Sequence, residues 1–271
     1  HRAARRTILT VAALPVFQTA KVRQHLIVGP AGGTVARPAV IVAARPPGVG
    51  HHVDAGRAAE QLAAHRLTVL GGFAAEEDPG LPPGTSTLLL IGPAEPGFWP
   101  HLTAQPEWDG APDPVDRWSR RVIGTIACDL GAKAVFPFGG PPYHPFYRWA
   151  LRTGRTWDSP ARLLVHADQG MMVSFRGALA LKERVDIPAA VARPCDSCAQ
   201  PCLTACPVGA LTAAAYDVPA CRAHISTPEG ADCLTGGCLV RRACPVSQGY
   251  ARLPEQSAYH MRRFHGEQST R

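Results

Sequence analysis

A chain of 271 residues, 46% hydrophobic and 18% charged, is long enough to bury a real core, as one large domain or two modest ones. Its formal net charge of +7 is not gathered into a Lys/Arg stripe with interleaved aromatics, so the sequence carries no nucleic-acid signature. The longest apolar runs, at 9–17 and 88–91, are too short to span a bilayer, so no membrane partner is expected.

The chain opens with Arg2, Arg5 and Arg6 ahead of the apolar run 9–17. That arrangement mimics an export signal, but Pro15 interrupts the run and no cleavage site follows. Short strands are expected at 23–28 and 39–43, separated by the turn Gly29-Pro30-Ala31-Gly32-Gly33, which lacks the spacing of a phosphate loop. Asp54 can cap a helix running to about His65, with Ala58, Leu62 and Ala63 on one face. A buried strand is predicted over 87–91.

The best-specified helix follows. Asp113 is a capable N-cap, Pro114 suits the first helical position, and Asp116 favours the positive end of the helix dipole. Trp118, Val122, Ile126 and Leu130 make its apolar stripe, and Gly131 is a natural stop. Cys128, on the same helix, is expected to be a small core residue. A strand over 134–138 ends at the glycine- and proline-rich stretch Gly139 to Pro145. A short helix over 147–152 stops at Gly154, and 163–166 with 171–181 suggest a hairpin across Asp168-Gln169-Gly170. The stretch 188–194 is a linker, placing a domain boundary near residue 190: an α+β unit over 1–190 and a cysteine-rich unit over 191–271.

Eight of the nine cysteines lie beyond that boundary. Cys195, Cys198, Cys202 and Cys206 form C-x2-C-x3-C-x3-C and are closed by Pro207; Cys221, Cys233, Cys238 and Cys244 follow, closed by Pro245. A disulfide framework belongs to small secreted domains, and zinc knuckles come as separated C-x2-C pairs. Two runs each ending in Cys-Pro instead resemble the two-cluster bacterial ferredoxins, whose run is C-x2-C-x2-C-x3-C-P. The resemblance implies two 4Fe–4S clusters. In those ferredoxins the Cys-Pro cysteine holds the other cluster. Carried over, that rule assigns Cys195, Cys198, Cys202 and Cys244 to one cluster, and Cys206, Cys221, Cys233 and Cys238 to the second. Iron–sulfur chemistry of this kind favours the cytoplasm.

The order of a Cys-Pro cysteine, a lone cysteine after a mid-length interval, and a closing Cys-Pro group is similar to the ferredoxin module of epoxyqueuosine reductase and the reductive dehalogenases. The closing group here, Cys233-x4-Cys238-x5-Cys244, is looser than theirs. Further upstream, Asp113-Pro114-Val115-Asp116, Val165-His166 and Val173-Ser174-Phe175-Arg176-Gly177 resemble the cblC-type cobalamin-processing proteins. Those proteins share the fold of flavin nitroreductases. The resemblance implies a nitroreductase-like, corrinoid-binding α+β domain over 1–190, followed by a dicluster ferredoxin-like domain over 191–271.

The function so implied is that of an iron–sulfur oxidoreductase acting with cobalamin. It would reduce the bound vitamin, or use it against a further small-molecule substrate, with a flavodoxin- or ferredoxin-type protein as electron donor. The alternative is a non-catalytic electron-transfer protein whose larger domain holds FMN or docks a partner. Arg176 matches an arginine of the cblC-type strand motif and could meet a corrinoid amide or a carboxylate. His166 could approach a ligand, although a lone strand histidine is more often half-buried structure. Gly139, Gly140, Tyr143 and His144 form an aromatic, glycine-rich loop at a strand end, where ligand loops commonly sit.

Overall fold

The structure is a computed structural model that describes residues 55–75, 78 and 80–266. The basic start, the run 9–17, the strands expected at 23–28 and 39–43, the turn between them and the Asp54 cap lie outside the described residues.

Helix α1 (Ala55–Ala63) leads into β1 (Leu67–Ala74) and β2 (Thr87–Pro93), which pair antiparallel. After α2 (Phe98–Thr103) and α3 (Pro114–Asp129) come β3 (Lys133–Val135), α4 (Phe146–Arg152), β4 (Thr156–Asp158), β5 (Leu164–His166) and β6 (Gly177–Leu181). The main sheet has the order β1-β2-β6-β3, antiparallel throughout, and β4 with β5 makes a second, two-stranded sheet. The fold is therefore mixed α+β around a small antiparallel sheet.

Alternation along β2 and β6 explains why that sheet is covered on both sides. Leu89, Ile91, Leu179 and Leu181 face one core with α1, α2 and α3, including Leu62, Phe98, Trp118, Val122 and Ile126. Leu88, Leu90, Ala178 and Ala180 face the other, against Phe146, Trp149 and Ala150 of α4. Every residue of β2 and β6 is buried, which is why these two strands sit at the centre of the order.

Helix α3 carries its expected stripe: Trp118, Val122, Ile126 and Leu130 are all buried. The backbone turns at Gly131 (φ 65°), whose N–H reaches Cys128 O. Its start departs from expectation. Asp113 has φ 53° and makes no side-chain cap bond; its carbonyl, not its carboxylate, accepts the N–H groups of Asp116 and Arg117. Cys128 is exposed, not core, because it falls on the face opposite the stripe. Ala63 is likewise exposed, although Ala58 and Leu62 are buried.

The hairpin expected across Asp168-Gln169-Gly170 does not form. Beyond a single bridge between His166 and Gly170, the two runs part: Leu164–His166 pairs with β4, and Gly177–Leu181 crosses to the main sheet between β2 and β3. A strand apolar on both faces gains more from two neighbours and two covered faces than from an edge position. The strand expected over 134–138 is also shorter, ending at Val135.

Beyond residue 190 the chain is helical and loop-rich. Single-turn 3-10 segments, Pro201–Leu203 and Pro228–Gly230, alternate with α5 (Val218–Ile225), α6 (Ala231–Gly236), α7 (Leu239–Ala243), α8 (Pro245–Gly249) and α9 (Pro254–His265). This tail shares its core with the first part of the chain. Ala161, Leu163, Val165 and Met171 pack with Cys195, Cys202, Leu211, Val240 and Cys244. Tyr259 of α9 lies 5.3 Å from both Trp99 and Trp108 (ring centroids). Among the described residues no helix is long and apolar enough to cross a membrane.

Candidate metal and ligand sites

The eight tail cysteines fall into two sets. Cys195 sits against the first 3-10 turn, which carries Cys202, while Cys244 arrives from the junction of α7 and α8; all three are buried in one core. Burial raises the Cys195 thiol pKa against an opposing pull from Arg193, and Cys244, Cys202 and Cys198 push it up further. Cys202 is raised by burial and then by Cys244 and Cys198. Cys198, Cys202 and Cys244 thus lie within electrostatic reach of Cys195, and Cys198 and Cys244 within reach of Cys202.

The second set lines a small apolar cavity of about 20 Å³: Cys206, Cys221, Cys233 and Cys238, with Pro207, Leu211, Ile225 and Val240 among the walls. Burial pushes the Cys221 thiol up to about 11, partly offset by a hydrogen bond from Tyr216, while Cys238, Cys206 and Cys233 add to the rise. Cys206 therefore joins the cysteines of the second run, while it and Cys238 also pack against the core that holds Cys195, Cys202 and Cys244. Cys128, on α3 and exposed, belongs to neither set.

Local backbone geometry orients sulfur. Gln200 N–H donates to Cys198 Sγ at 3.3 Å and Ala210 N–H to Cys206 Sγ at 3.2 Å. The prolines after Cys206 and Cys244 act differently: Pro245 opens α8 at its first turn, where a missing N–H costs nothing, so Cys244 can end α7 in an extended conformation (φ −68°, ψ 122°). Among the described residues no group of three or more His, Cys, Asp or Glu side chains is spaced to grip one metal ion. A cubane is held from outside, one thiolate per iron, by a wider set than a single ion takes.

His166 is 1% exposed, and both ring nitrogens are engaged. Nε2 lies 2.7 Å from Leu70 O, and Nδ1 accepts the Asp168 and Gln169 N–H groups at 3.1 and 3.3 Å, which fixes the donor on Nε2. Leu70 offers its carbonyl because the β1–β2 register slips between Val69 and Gly71, leaving Leu70 without a ladder partner. Burial lowers the His166 pKa, so the ring stays neutral, as this pattern requires.

In the loop after β3, Arg120 stacks over Phe136 and Phe138 and packs so closely on Gly139 that a Cβ there would meet its guanidinium. His144 Nδ1 lies 3.2 Å from Gly80 O, and its ring stacks on Trp149 at 5.6 Å. Gly140 and Tyr143 complete the loop, with the Tyr143 ring exposed. Arg176 is 8% exposed; its Nη1 reaches Asp116 Oδ1 at 3.4 Å and its backbone N–H binds Ile91 O. Arg176 Nε has no hydrogen-bond partner.

Three tail residues with no motif to announce them lie near the segment that leads to Arg176. Arg241 Nη1 donates to Met171 O, Arg252 Nη1 donates to Met172 O at 3.0 Å, and His260 lies beside all three arginines. No spacing rule marks them, because what brings Arg241 and Arg252 together is their bonding to two consecutive carbonyls far away in sequence. Comparison of the chain with protein-family models, with curated proteins and with solved structures finds no match.

Proposed function

We propose that the chain is an iron–sulfur oxidoreductase carrying two 4Fe–4S clusters. One would rest on Cys195, Cys198, Cys202 and Cys244, the other on Cys206, Cys221, Cys233 and Cys238. The carrying observation is the neighbourhood of Cys198, Cys202 and Cys244 around Cys195, and of Cys206, Cys221, Cys233 and Cys238 around one cavity. Backbone N–H groups directed at Cys198 and Cys206 sulfur suit thiolates that carry negative charge, and the apolar lining around the second set keeps bulk water from it. Bound clusters supply one-electron transfer, at potentials set by burial and by hydrogen bonds to sulfur.

The chain's own residues do the rest. Burial raises the thiol pKa of Cys195, Cys202, Cys221 and Cys233, so iron binding there must displace protons. The shared core of Met171 with Cys195, Cys202 and Cys244 brings the first cysteine set against the α+β part of the chain, where an acceptor would bind. A corrinoid is the acceptor that the cblC-type resemblance implies, and Arg176 is the residue left to meet it. The engagement of both His166 nitrogens favours the plainer alternative, an electron-transfer protein whose α+β part docks a partner or holds FMN.

The test is anaerobic reconstitution with iron and sulfide, followed by metal analysis and titration with hydroxocobalamin under visible absorption. Two clusters' worth of iron and a saturable shift to a base-off spectrum support the corrinoid reductase. Full iron with no cobalamin binding at micromolar concentration leaves the electron carrier. Iron far below that level removes the proposal.

A further inference from the structure

One residue in the wall around the second cysteine set has a role that its own packing does not explain. Helix α5 opens on Asp217, whose side chain accepts the Ala220 N–H at 2.9 Å, and it carries Cys221 and His224 three residues apart. That spacing places both side chains on the same helical face. His224 accordingly lines the small cavity together with Cys206, Cys221, Cys233 and Cys238. Its backbone is fixed there by the turn that follows. Thr227 donates to His224 O through both its N–H, at 3.0 Å, and its Oγ1, at 2.9 Å. The second 3-10 turn packs so closely that a Cβ on Gly230 would collide with the same carbonyl.

Three thiols of this set receive donors from the chain: Cys206 from Ala210 N–H at 3.2 Å, Cys221 from the Tyr216 hydroxyl, and Cys233 from Leu239 N–H. His224 is different. Its Nε2 is buried and has no hydrogen-bond partner among the described residues. The aliphatic side chains of Pro207, Leu211, Ile225 and Val240, which share the cavity wall, offer it no acceptor. Native folds pair their buried polar atoms, so an orphaned ring nitrogen on a residue that lines a ligand cavity points to a contact completed by the ligand.

We infer that His224 is a contact residue of the second cluster: its Nε2–H donates to a sulfur of the group held by Cys206, Cys221, Cys233 and Cys238, and raises the reduction potential of that group. The inference rests on the dicluster reading. Four cysteines already supply one thiolate per iron, so the imidazole is a fifth group and acts through sulfur, not as an iron ligand. Sulfur becomes more negative on one-electron reduction, and a donor aimed at it favours the reduced form over the oxidised one. The proton stays on Nε2 throughout, and an external one-electron donor, dithionite in the test below, supplies the electron.

The test reconstitutes the full chain anaerobically, confirms loading by iron and sulfide analysis, and reduces it with dithionite. The second cluster is identified as the one lost in Cys233→Ala. In protein carrying 15N in its histidine rings, pulsed electron paramagnetic resonance should show a weak nitrogen coupling to that cluster, absent from His224→Leu. A redox titration of His224→Leu should find reduction of the second cluster roughly three- to tenfold less favourable, a fall of about 30–60 mV for one electron, with the first cluster unmoved. His224→Gln, which keeps an N–H donor, should fall between the two and serves in place of His224→Leu if that variant fails to load. Absence of a histidine coupling, a coupling strong enough for a direct iron–nitrogen bond, or an unmoved second potential overturns the inference. Loading separates the two claims: full iron and sulfide without a His224 signature sinks only this inference, whereas iron far below two clusters removes the dicluster reading and this inference with it.

Discussion

Met171 N–H donates to Ser247 Oγ at 2.8 Å, joining residues 76 positions apart. One partner lies in the segment between β5 and β6; the other lies in α8, just past the cysteine that would complete the first cluster. Gly170 makes the approach possible. It has φ 54°, and a Cβ there would stand 2.4 Å from Ser247 N, so no larger residue fits.

Replacing Ser247 with alanine leaves the Met171 N–H buried without an acceptor. A loss of about 1–3 kcal/mol is expected from that alone. The urea midpoint of Ser247→Ala should fall, and Gly170→Ala should fall further, since it adds strained backbone to a clash. An unchanged midpoint in Ser247→Ala would mean that the hydroxyl does not hold the tail in place.

Cysteine substitutions test the crossing. Cys206→Ala should remove the same electron paramagnetic resonance signal as Cys233→Ala, although Cys206 belongs to the first run in sequence. Cys202→Ala and Cys244→Ala should remove the other signal. Each should cost one cluster's worth of iron, and Cys128→Ser none. Should Cys206→Ala instead behave like Cys202→Ala, the grouping by neighbourhood in space is wrong.

Legibility differed by kind of residue. The α3 stripe could be read directly, because Trp118, Val122, Ile126 and Leu130 repeat at helical spacing against a core that covers them. The cysteines were visible because their spacing is local. The separation of β5 from β6 was not, since which strand neighbours which depends on burial of both faces of residues 177–181, a property of the assembled sheet. His166 was ambiguous for a related reason: its partner Leu70 O is freed by a register slip in β1 that leaves no mark in the composition. Arg241, Arg252 and His260 carry no pattern at all. An arginine reads as surface charge until a fold turns it inward.

His166 should make stability depend on pH with a definite sign. The unfolded imidazole titrates near its ordinary value of 6.5, and burial lowers the folded one. Between those values the unfolded chain binds the proton and the folded chain does not. The contribution of His166 is therefore complete above 6.5 and lost progressively as pH falls below it. Burial raises the pKa of Glu95 and Asp116, so they act with the opposite sign and at the acid end. A comparison with His166→Gln, which cannot titrate, isolates the imidazole. Wild type should lose more stability than the variant on going from about pH 7.5 to about pH 5.5. Equal losses would show that His166 is protonated in the fold or never buried.

Tyr216 offers a test of the second cysteine set that does not rely on catalysis. Its hydroxyl is hydrogen-bonded to Cys221, and its ring stacks on Phe264 of α9 at 6.3 Å, so the donor is held in place from the far side. A donor to a ligand sulfur stabilises the more negative, reduced state and raises the reduction potential. Tyr216→Phe keeps the ring, its stacking and the volume, and deletes only the donor. The cluster on Cys206, Cys221, Cys233 and Cys238 should then shift to a lower potential in a titration followed by electron paramagnetic resonance, while the other cluster holds its value. Movement of both potentials together would point to a general loosening of the tail, and movement of neither would remove Tyr216 from the environment of Cys221.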